Sequence, residues 1–227
     1  TYHYDENGSH GDCRAERLVY LTSGGDFGRE DSVGVVYWRQ LSAMYGIPRF
    51  DYVFAGGLDA APEKAPELLE GACLLASRLA EENEHSEPGA SRQYKRHKEE
   101  TAMLLFVDCC ISYRGDRSRS HALCEAFLES YKKAHPAEDI EVVNLQRMAL
   151  KPFDQFSTDD RNALRNVKAF DAPIFKLARQ FRRADRIVIG APLRELTFPA
   201  MLQIYIESIC VREVTSHYDC PFYPSDT

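Results

Sequence analysis

The sequence has little of what marks several large classes of protein. Its 227 residues include only 13 glycines and 11 prolines, too few for a low-complexity chain. Hydrophobic residues make up 44%, which is too large a share for an intrinsically disordered protein. Lysine and arginine total 28 against 35 aspartates and glutamates, so the basic excess typical of a nucleic-acid-binding surface is missing. No apolar run approaches the roughly 20 residues that span a membrane. We therefore predict a soluble globular protein with neither a nucleic-acid nor a membrane partner.

The cysteines follow no pattern typical of a disulfide scaffold or a zinc ribbon. There are seven of them, an odd number, with irregular spacing and no CxxC motif. Cys109 and Cys110 end an apolar run, and we interpret them as small buried hydrophobic residues rather than a redox pair. The seven histidines are scattered without pairing at ligand spacing, so no metal site is predicted. Together with a polar start at Thr1 to Gly8, which is unlike a signal peptide, this predicts a cytoplasmic location.

Short apolar runs alternate with stretches of helical periodicity. The predicted strands are runs that begin at Leu18, Tyr52, Met103, Ile140 and Ile187. The predicted helices extend from Val33 to Tyr45, Ala65 to Leu79, Ser120 to Ala134, Asp171 to Arg183 and Pro199 to Cys210. Such alternation is typical of an open, mostly parallel α/β sheet with helices on both faces.

One charged segment interrupts this alternation. Residues Glu81 to Glu100 contain almost no apolar side chains and mix acidic and basic clusters around Pro88 and Gly89. We interpret the segment as a solvated linker. The alternative is a basic binding patch at Lys95 to Lys98, but that stretch lacks the interleaved aromatic residues of nucleic-acid sites.

The loop after the most apolar run carries three serines, Ser112, Ser118 and Ser120, and leads directly into a predicted helix. In open α/β sheets, ligands bind at the carboxyl ends of the strands. The N-terminus of a helix offers unpaired N–H groups and a partial positive charge, which favour a phosphate. The serine hydroxyls would add donors, and Arg117 or Arg119 would add charge. Because serine is also a common N-cap, a plain capping role stays open as an alternative.

Two further loops follow predicted strands. One extends from Gly190 to Pro199, between a strand and a helix. The other is Thr22–Ser23–Gly24–Gly25, where a glycine pair lets the backbone approach a ligand closely, although it also suits a simple turn. Neither these loops nor the serine loop contains a Walker A or GxGxxG motif, which argues against ATP hydrolysis and a standard dinucleotide-binding fold.

Taken together, these motifs resemble the FMN-dependent NADH-azoreductases, which are flavodoxin-like quinone and azo reductases. The resemblance lies in the Ser-x5-Ser-x-Ser loop, the Ile187–Pro192 strand and loop, and the Gly-Gly loop, and extends to Phe127–Lys133 and Gly46–Glu63. It implies a flavodoxin-like fold and an FMN-dependent oxidoreductase that passes a hydride from NADH or NADPH, through the flavin, to a quinone, an azo compound or a related small aromatic acceptor. It also implies a homodimer, with a hetero-oligomer as an alternative.

The resemblance further assigns the cofactor site. It implies that the FMN phosphate lies on Ser112, Ser118, Arg119 and Ser120. It implies that the flavin lies against Pro192, Leu193, Arg194, Glu195 and Leu196, and against Thr22, Ser23, Gly24 and Gly25. No catalytic side chain is assigned, because the flavin performs the chemistry. Residues 193–196 replace the Met, aromatic, Asn and Phe usual in the family. A specialised biosynthetic flavoenzyme with an altered pocket, or a non-catalytic flavodoxin-like subunit of a hetero-oligomer, therefore remains an alternative.

The order of the motifs along the chain differs from the order in the family. Residues 1–80 resemble the family's C-terminal part and residues 101–220 its N-terminal part, with the linker at 81–100 between them. We therefore interpret the chain as a single circularly permuted flavodoxin-like domain. In the flavodoxin-like strand order, the strands beginning at Ile140, Met103, Ile187, Leu18 and Tyr52 should lie side by side in that sequence.

Overall fold

The computed structural model describes residues 10–26, 32–82, 101–110, 118–194 and 197–217. The strands in these residues are β1 (His10–Gly11), β2 (Arg17–Ser23), β3 (Arg49–Ala55), β4 (Met103–Asp108), β5 (Asp139–Asn144), β6 (Arg186–Gly190) and β7 (Ser216–His217). Strands β2 to β6 form one parallel sheet in the order β5-β4-β6-β2-β3. This is the order predicted from the sequence, which is thereby confirmed. The short strands β1 and β7 pair antiparallel outside this sheet.

Helices cover both faces of the sheet. They are α1 (Val33–Met44), α2 (Ala65–Glu81), α3 (Arg119–Ala134), α4 (Gln155–Asn166), α5 (Lys176–Arg183) and α6 (Ala200–Ile209). Single 3-10 turns, Pro62–Lys64 and Pro173–Phe175, lead into α2 and α5. The predicted α/β class, with helices on both faces of a parallel sheet, is confirmed.

Two hydrophobic clusters hold these layers together. Along β2, Leu18 and Tyr20 pack into the cluster formed with α1, α5 and α6. Val19 and Leu21 alternate with them and pack into the cluster formed with α2 and α3. Successive strand residues point to opposite faces, so a strand covered on both sides buries every side chain, as all seven residues of β2 do. This coverage explains why the strands have the short, continuous apolar runs typical of buried parallel strands.

Helix α4 has no counterpart among the elements predicted from the sequence. It contains no buried residue, so it has no apolar stripe to reveal it. A capping box defines its start instead, because Asp154 accepts a hydrogen bond of 2.8 Å from the N–H of Ser157. The N–H of Asp154 in turn donates to the hydroxyl of Ser157 at 2.9 Å.

The predicted linker begins too early. Helix α2 includes Glu81, and Glu82 lies 3.1 Å from Nη2 of Arg17 and 2.5 Å from Nη2 of Arg49. The side chain of Arg17 is only 4% exposed and also pairs with Asp51 at 2.6 Å. A buried guanidinium requires counter-charges, which is the physical reason why Glu82 belongs to the fold. The rest of the segment predicted to be a linker, 83–100, lies outside the described residues.

None of the described helices, which lie between residues 33 and 209, is both long enough and apolar enough to cross a membrane.

Candidate functional site

The described parts of the three loops singled out in the sequence meet at the carboxyl edge of the sheet. Ser23, at the end of β2, and Ser120, in the first turn of α3, share a hydrogen bond of 2.6 Å between their buried hydroxyls. The N–H of Leu193, in the loop after β6, donates to the carbonyl of Ser23 at 2.9 Å. Residues far apart in the sequence are thus joined at the place where open α/β sheets bind ligands.

Most of the predicted site residues fall within the described chain. Those that the structure places at this edge are Thr22, Ser23, Gly24, Gly25, Ser118, Arg119, Ser120, Pro192, Leu193 and Arg194. Three predicted residues, Ser112, Glu195 and Leu196, lie outside the described residues.

The start of α3 has the features of an anion site. Ser118 occupies the N-cap position, but its side chain makes no capping hydrogen bond. The N–H groups of the first helical turn have no acceptor within their own helix, and they carry the positive end of the helix dipole. Ser118 is only 9% exposed, so the residue at the N-cap position is largely buried. The plain capping role considered for Ser118 is therefore not observed.

The loop after β2 is fixed by its neighbour β3. The N–H of Gly24 donates to the carbonyl of Ala55 at 3.0 Å, and the N–H of Gly57 donates to the carbonyl of Asp26 at 2.7 Å. The carbonyl of Gly25 accepts from the N–H groups of Asp59 and Ala60, each at 3.0 Å. These bonds hold the ends of β2 and β3 together, so the glycine loop has a defined shape.

Asp59 is a site residue that the sequence prediction missed. Its Oδ1 lies 2.7 Å from Nη1 of Arg119, so the arginine assigned to phosphate has a carboxylate partner. Its Oδ2 would lie 2.4 Å from a Cβ at Gly25, so the carboxylate occupies the space beside this glycine. The available signal was an acidic residue just beyond the carboxyl end of a predicted strand. Its pairing with Arg119 joins residues 60 positions apart and therefore has no local pattern.

The loop after β6 contains a pair of reciprocal backbone hydrogen bonds between Arg194 and Thr197. The N–H of Arg194 donates to the carbonyl of Thr197 at 2.7 Å, and the N–H of Thr197 donates back to the carbonyl of Arg194 at 2.8 Å. Arg194 itself is exposed. The N–H of Ala191 donates to the carbonyl of Leu21 at 3.0 Å, so the loop is anchored to the end of β2. The turn therefore presents backbone and the Arg194 side chain at the edge of the site.

Thr22 and Ser23 face opposite sides of the sheet. Thr22 lies two positions after Tyr20 and is fully buried, so it faces the side covered by α1, α5 and α6. Burial raises the pKa of Tyr20 to about 12, and a hydrogen bond with Thr22 opposes part of that rise. The hydroxyl of Thr22 therefore belongs to the core beside Tyr20, and Ser23 is the residue of this pair that faces α3.

The thiols below the site are not activated nucleophiles. Cys109, Cys110 and Cys124 are all buried, as predicted for the first two. Burial raises the pKa of Cys109 to about 12. A hydrogen bond with Cys110, together with burial, raises the pKa of Cys124 well above its ordinary value. Because only the thiolate is a good nucleophile, these side chains act as small core residues.

A cleft of about 570 Å³ lies at the opposite, amino edge of the sheet. Both of its arginines are already paired with carboxylates. Arg14 lies 2.8 Å from Asp185, and Arg183 lies 2.6 Å from Glu141. Asp185 also accepts from the N–H of Met103 at 2.8 Å. With its cations matched by carboxylates, this cleft is less suited to an anionic ligand than the carboxyl edge.

Comparison with known proteins agrees with this architecture. A family described as having a flavodoxin-like fold matches residues 104–226, more than half of the chain. The curated relatives include an FMN-dependent NADH:quinone oxidoreductase of Clostridium perfringens, 31% identical over 118 residues, which cover 51% of this chain and 58% of the relative. A protein of the same name from Caldicellulosiruptor saccharolyticus is 34% identical over 118 residues, covering 52% and 58%.

A third protein of that name, from Trichlorobacter lovleyi, is 31% identical over 127 residues, which cover 52% of this chain and 60% of the relative. The chain thus matches somewhat more than half the length of these relatives. No solved structure matches significantly. The family match, the parallel sheet and its strand order lead to one conclusion: the chain belongs to the flavodoxin-like fold family.

Proposed function

We propose that the protein is an FMN-dependent oxidoreductase that passes a hydride from NADH or NADPH to a quinone, an azo compound or a related small aromatic acceptor. The observation that carries the proposal is the junction of Ser23, Ser120 and Leu193 at the carboxyl edge, where Ser23 is hydrogen-bonded to both of the others. The names of the relatives, which are FMN-dependent NADH:quinone oxidoreductases, support the cofactor, the donor and one acceptor class.

The residues at this edge fit a phosphorylated flavin. The start of α3 supplies first-turn N–H groups, which have no acceptor within their own helix, and the hydroxyl of Ser118, which does not cap its helix. These are donors of the kind that bind a phosphate. One feature opposes an anion, namely the carboxylate of Asp59 on Arg119.

In the proposed complex, Ser118, Arg119 and Ser120 bind the phosphate, and the loops at 22–25 and 192–194 border the flavin. The bound FMN would supply the redox chemistry by taking up a hydride from the nicotinamide and passing on the electrons. The protein would contribute orientation and backbone dipoles, because the N–H groups of these loops are fixed by their neighbours. No acid or base among the described side chains is needed for this role.

A spectroscopic experiment tests this proposal. The purified full chain is mixed with FMN, freed of unbound flavin and examined for flavin absorbance. NADH or NADPH is then added anaerobically. We expect bound flavin that one of the two nucleotides bleaches, and we expect a quinone to restore the colour. A protein that binds no FMN contradicts the proposal. Bound FMN that neither nucleotide bleaches would favour a non-catalytic subunit instead.

A second candidate is a specialised flavoenzyme with an altered pocket. The exposed Arg194 on the turn after β6 favours it, because the resembled family has an aromatic residue at this position. A guanidinium there would attract an acceptor that carries an acidic group. Comparing rates with a neutral and a carboxylated quinone, in the protein and in Arg194→Ala, separates the two candidates. A preference for the acidic acceptor that disappears in the variant supports the altered pocket.

We also propose that the chain is a circular permutation of the family order. Counting from β4, the strands along the chain are β4, β5, β6, β2 and β3, and their positions in the sheet then follow the flavodoxin-like order 2-1-3-4-5. The family match begins at residue 104, in β4, which supports this starting point. The homodimer and the cytoplasmic location remain predictions from the sequence.

A further inference from the structure

Asp59 lies between two segments that the proposed FMN site brings together. Its side chain contacts Arg119, the first residue of α3, with Oδ1 and Nη1 2.7 Å apart. Its backbone is anchored on the other side, because its N–H donates to the carbonyl of Gly25 at 3.0 Å. A Cβ at Gly25 would lie 2.4 Å from Oδ2 of Asp59. The carboxylate therefore lies between Gly25 and the guanidinium of Arg119, the first residue of α3.

This placement gives Asp59 the same charge sign and the same partner as a bound phosphate. The start of α3 favours an anion through its N–H groups and its dipole, and Arg119 adds a positive charge there. A carboxylate at this point satisfies part of that preference within the chain. A phosphate that enters must then share Arg119 with Asp59 or replace it.

We propose that Asp59 competes with the phosphate of FMN for Arg119 and thereby sets the affinity and the selectivity of the site for phosphorylated ligands. The inference rests on the proposed function, because it takes the start of α3 as the phosphate site. It goes beyond that function by assigning a role to a residue outside the predicted serine and glycine loops.

The exposure of the pair makes the exchange possible. The side chain of Arg119 is 40% exposed and that of Asp59 is 71% exposed. Ion pairs with this much solvent contact contribute little to stability. A phosphate monoester carries up to two negative charges and binds a guanidinium through two oxygens. The phosphate therefore displaces the carboxylate of Asp59 from Arg119. The competition nevertheless lowers the apparent affinity of the protein for FMN by a modest factor.

The exchange leaves the rest of the site in place. Ser120 is held by Ser23 through their hydroxyls at 2.6 Å, independently of Arg119. The backbone of Asp59 stays bound to Gly25 whichever partner its side chain has. Only two side chains need to move, so the effect should appear in phosphate binding rather than in folding.

The test compares FMN with riboflavin, which has the same ring system but no phosphate. Dissociation constants are measured by quenching of flavin fluorescence for the full chain, Asp59→Asn, Arg119→Gln and the double variant. The matched control is Glu63→Gln, which removes an exposed carboxylate four positions further along the chain. Circular dichroism checks that every variant is folded.

We expect Asp59→Asn to bind FMN about two- to fivefold more tightly at low salt, the range typical of exposed ion pairs, and to bind riboflavin as the parent chain does. Glu63→Gln should leave both affinities unchanged. Adding Asp59→Asn to Arg119→Gln should give no further gain. The gain should shrink at high salt, because salt screens exposed charges.

Three results would overturn the inference while leaving the proposed function intact. They are an unchanged FMN affinity in Asp59→Asn, an equal gain for FMN and riboflavin, and the same gain in the Arg119→Gln background. A different result would overturn both: if neither the parent chain nor Asp59→Asn binds FMN, the site is not a flavin site.

Discussion

Ser118 and Ser120 stand two positions apart at the start of α3, yet their hydroxyls differ in hydrogen bonding. Ser120 is buried and bound to Ser23, so it joins the helix to the end of β2. Ser118 occupies the N-cap position, but its side chain makes no capping hydrogen bond. The two residues look equivalent in the sequence, where both are serines of one loop. Only the structure shows that one of them also joins two elements of the fold.

This difference leads to a paired prediction. Ser120→Ala leaves the buried hydroxyl of Ser23 without its partner, which should lower the free energy of unfolding by about 1–3 kcal/mol. Ser118→Ala should unfold like the parent chain and instead weaken FMN by about 1–3 kcal/mol, because it removes a donor to a charged phosphate. Urea unfolding and FMN titration of both variants measure the two effects. Ser118→Ala with unchanged FMN affinity would remove Ser118 from the site.

The residues of the site were predictable from sequence only where they follow a strand in a recognisable pattern. Ser23, Ser120 and Leu193 stand in such loops, and the structure brings them together. Asp59 has no such pattern, because its importance comes from Arg119 in a distant segment. Long-range pairs of exposed charges leave no periodicity in a single sequence, so they become visible only with coordinates.

At the scale of elements, buried helices were predictable and the exposed one was not. Helices α1, α2, α3, α5 and α6 each bury part of one face, which gives their sequences an apolar period. Helix α4 buries none of its residues and begins at a capping box. Local hydrogen bonding rather than core packing therefore defines α4. Hydrophobic periodicity does not detect such helices.

The contact between β6 and α3 provides a prediction at this scale. A Cβ added at Gly190, the last residue of β6, would lie 2.3 Å from Sγ of Cys124 on α3. Gly190→Ala should therefore destabilise the protein by about 1–3 kcal/mol, as overpacking of a core does. The matched control is Gly71→Ala in α2, where a Cβ meets nothing within 4 Å.

The control should change stability in the opposite direction. Alanine favours a helix interior over glycine by roughly 0.5–1 kcal/mol, so Gly71→Ala should stabilise the protein. Urea unfolding of both variants gives the comparison. A neutral or stabilising Gly190→Ala would mean that α3 does not pack as closely on β6 as described here.

For the molecule as a whole, the five-stranded order was predictable because the motifs resemble a family whose strand order is the flavodoxin-like one. Alternating strands and helices give a parallel sheet, and the loop motifs identify which strand is which. The segments on both sides of 83–100 contribute strands to the same sheet. What the sequence did not reveal is that Glu82, placed inside the predicted linker, contacts the buried Arg17.

Replacing residues 83–100 with a glycine–serine segment of the same length tests the boundary after Glu82. We expect the free energy of unfolding to change by less than about 0.5 kcal/mol, as for surface changes that touch no structural feature. The expectation rests on the sequence of 83–100, which contains almost no apolar side chains. The control replaces 82–100, which also removes the carboxylate beside Arg17, and should be clearly less stable. Equal stability of the two variants would contradict the boundary.

The central claim is that FMN binds at the carboxyl edge with its phosphate at the start of α3. A crystal structure of the chain with FMN tests it most directly. We expect the phosphate to accept hydrogen bonds from the first-turn N–H groups of α3 and from the hydroxyl of Ser118, with the flavin beside the Gly24–Gly25 loop. A phosphate bound instead in the amino-edge cleft near Arg14 and Arg183, or anywhere away from α3, would contradict the claim.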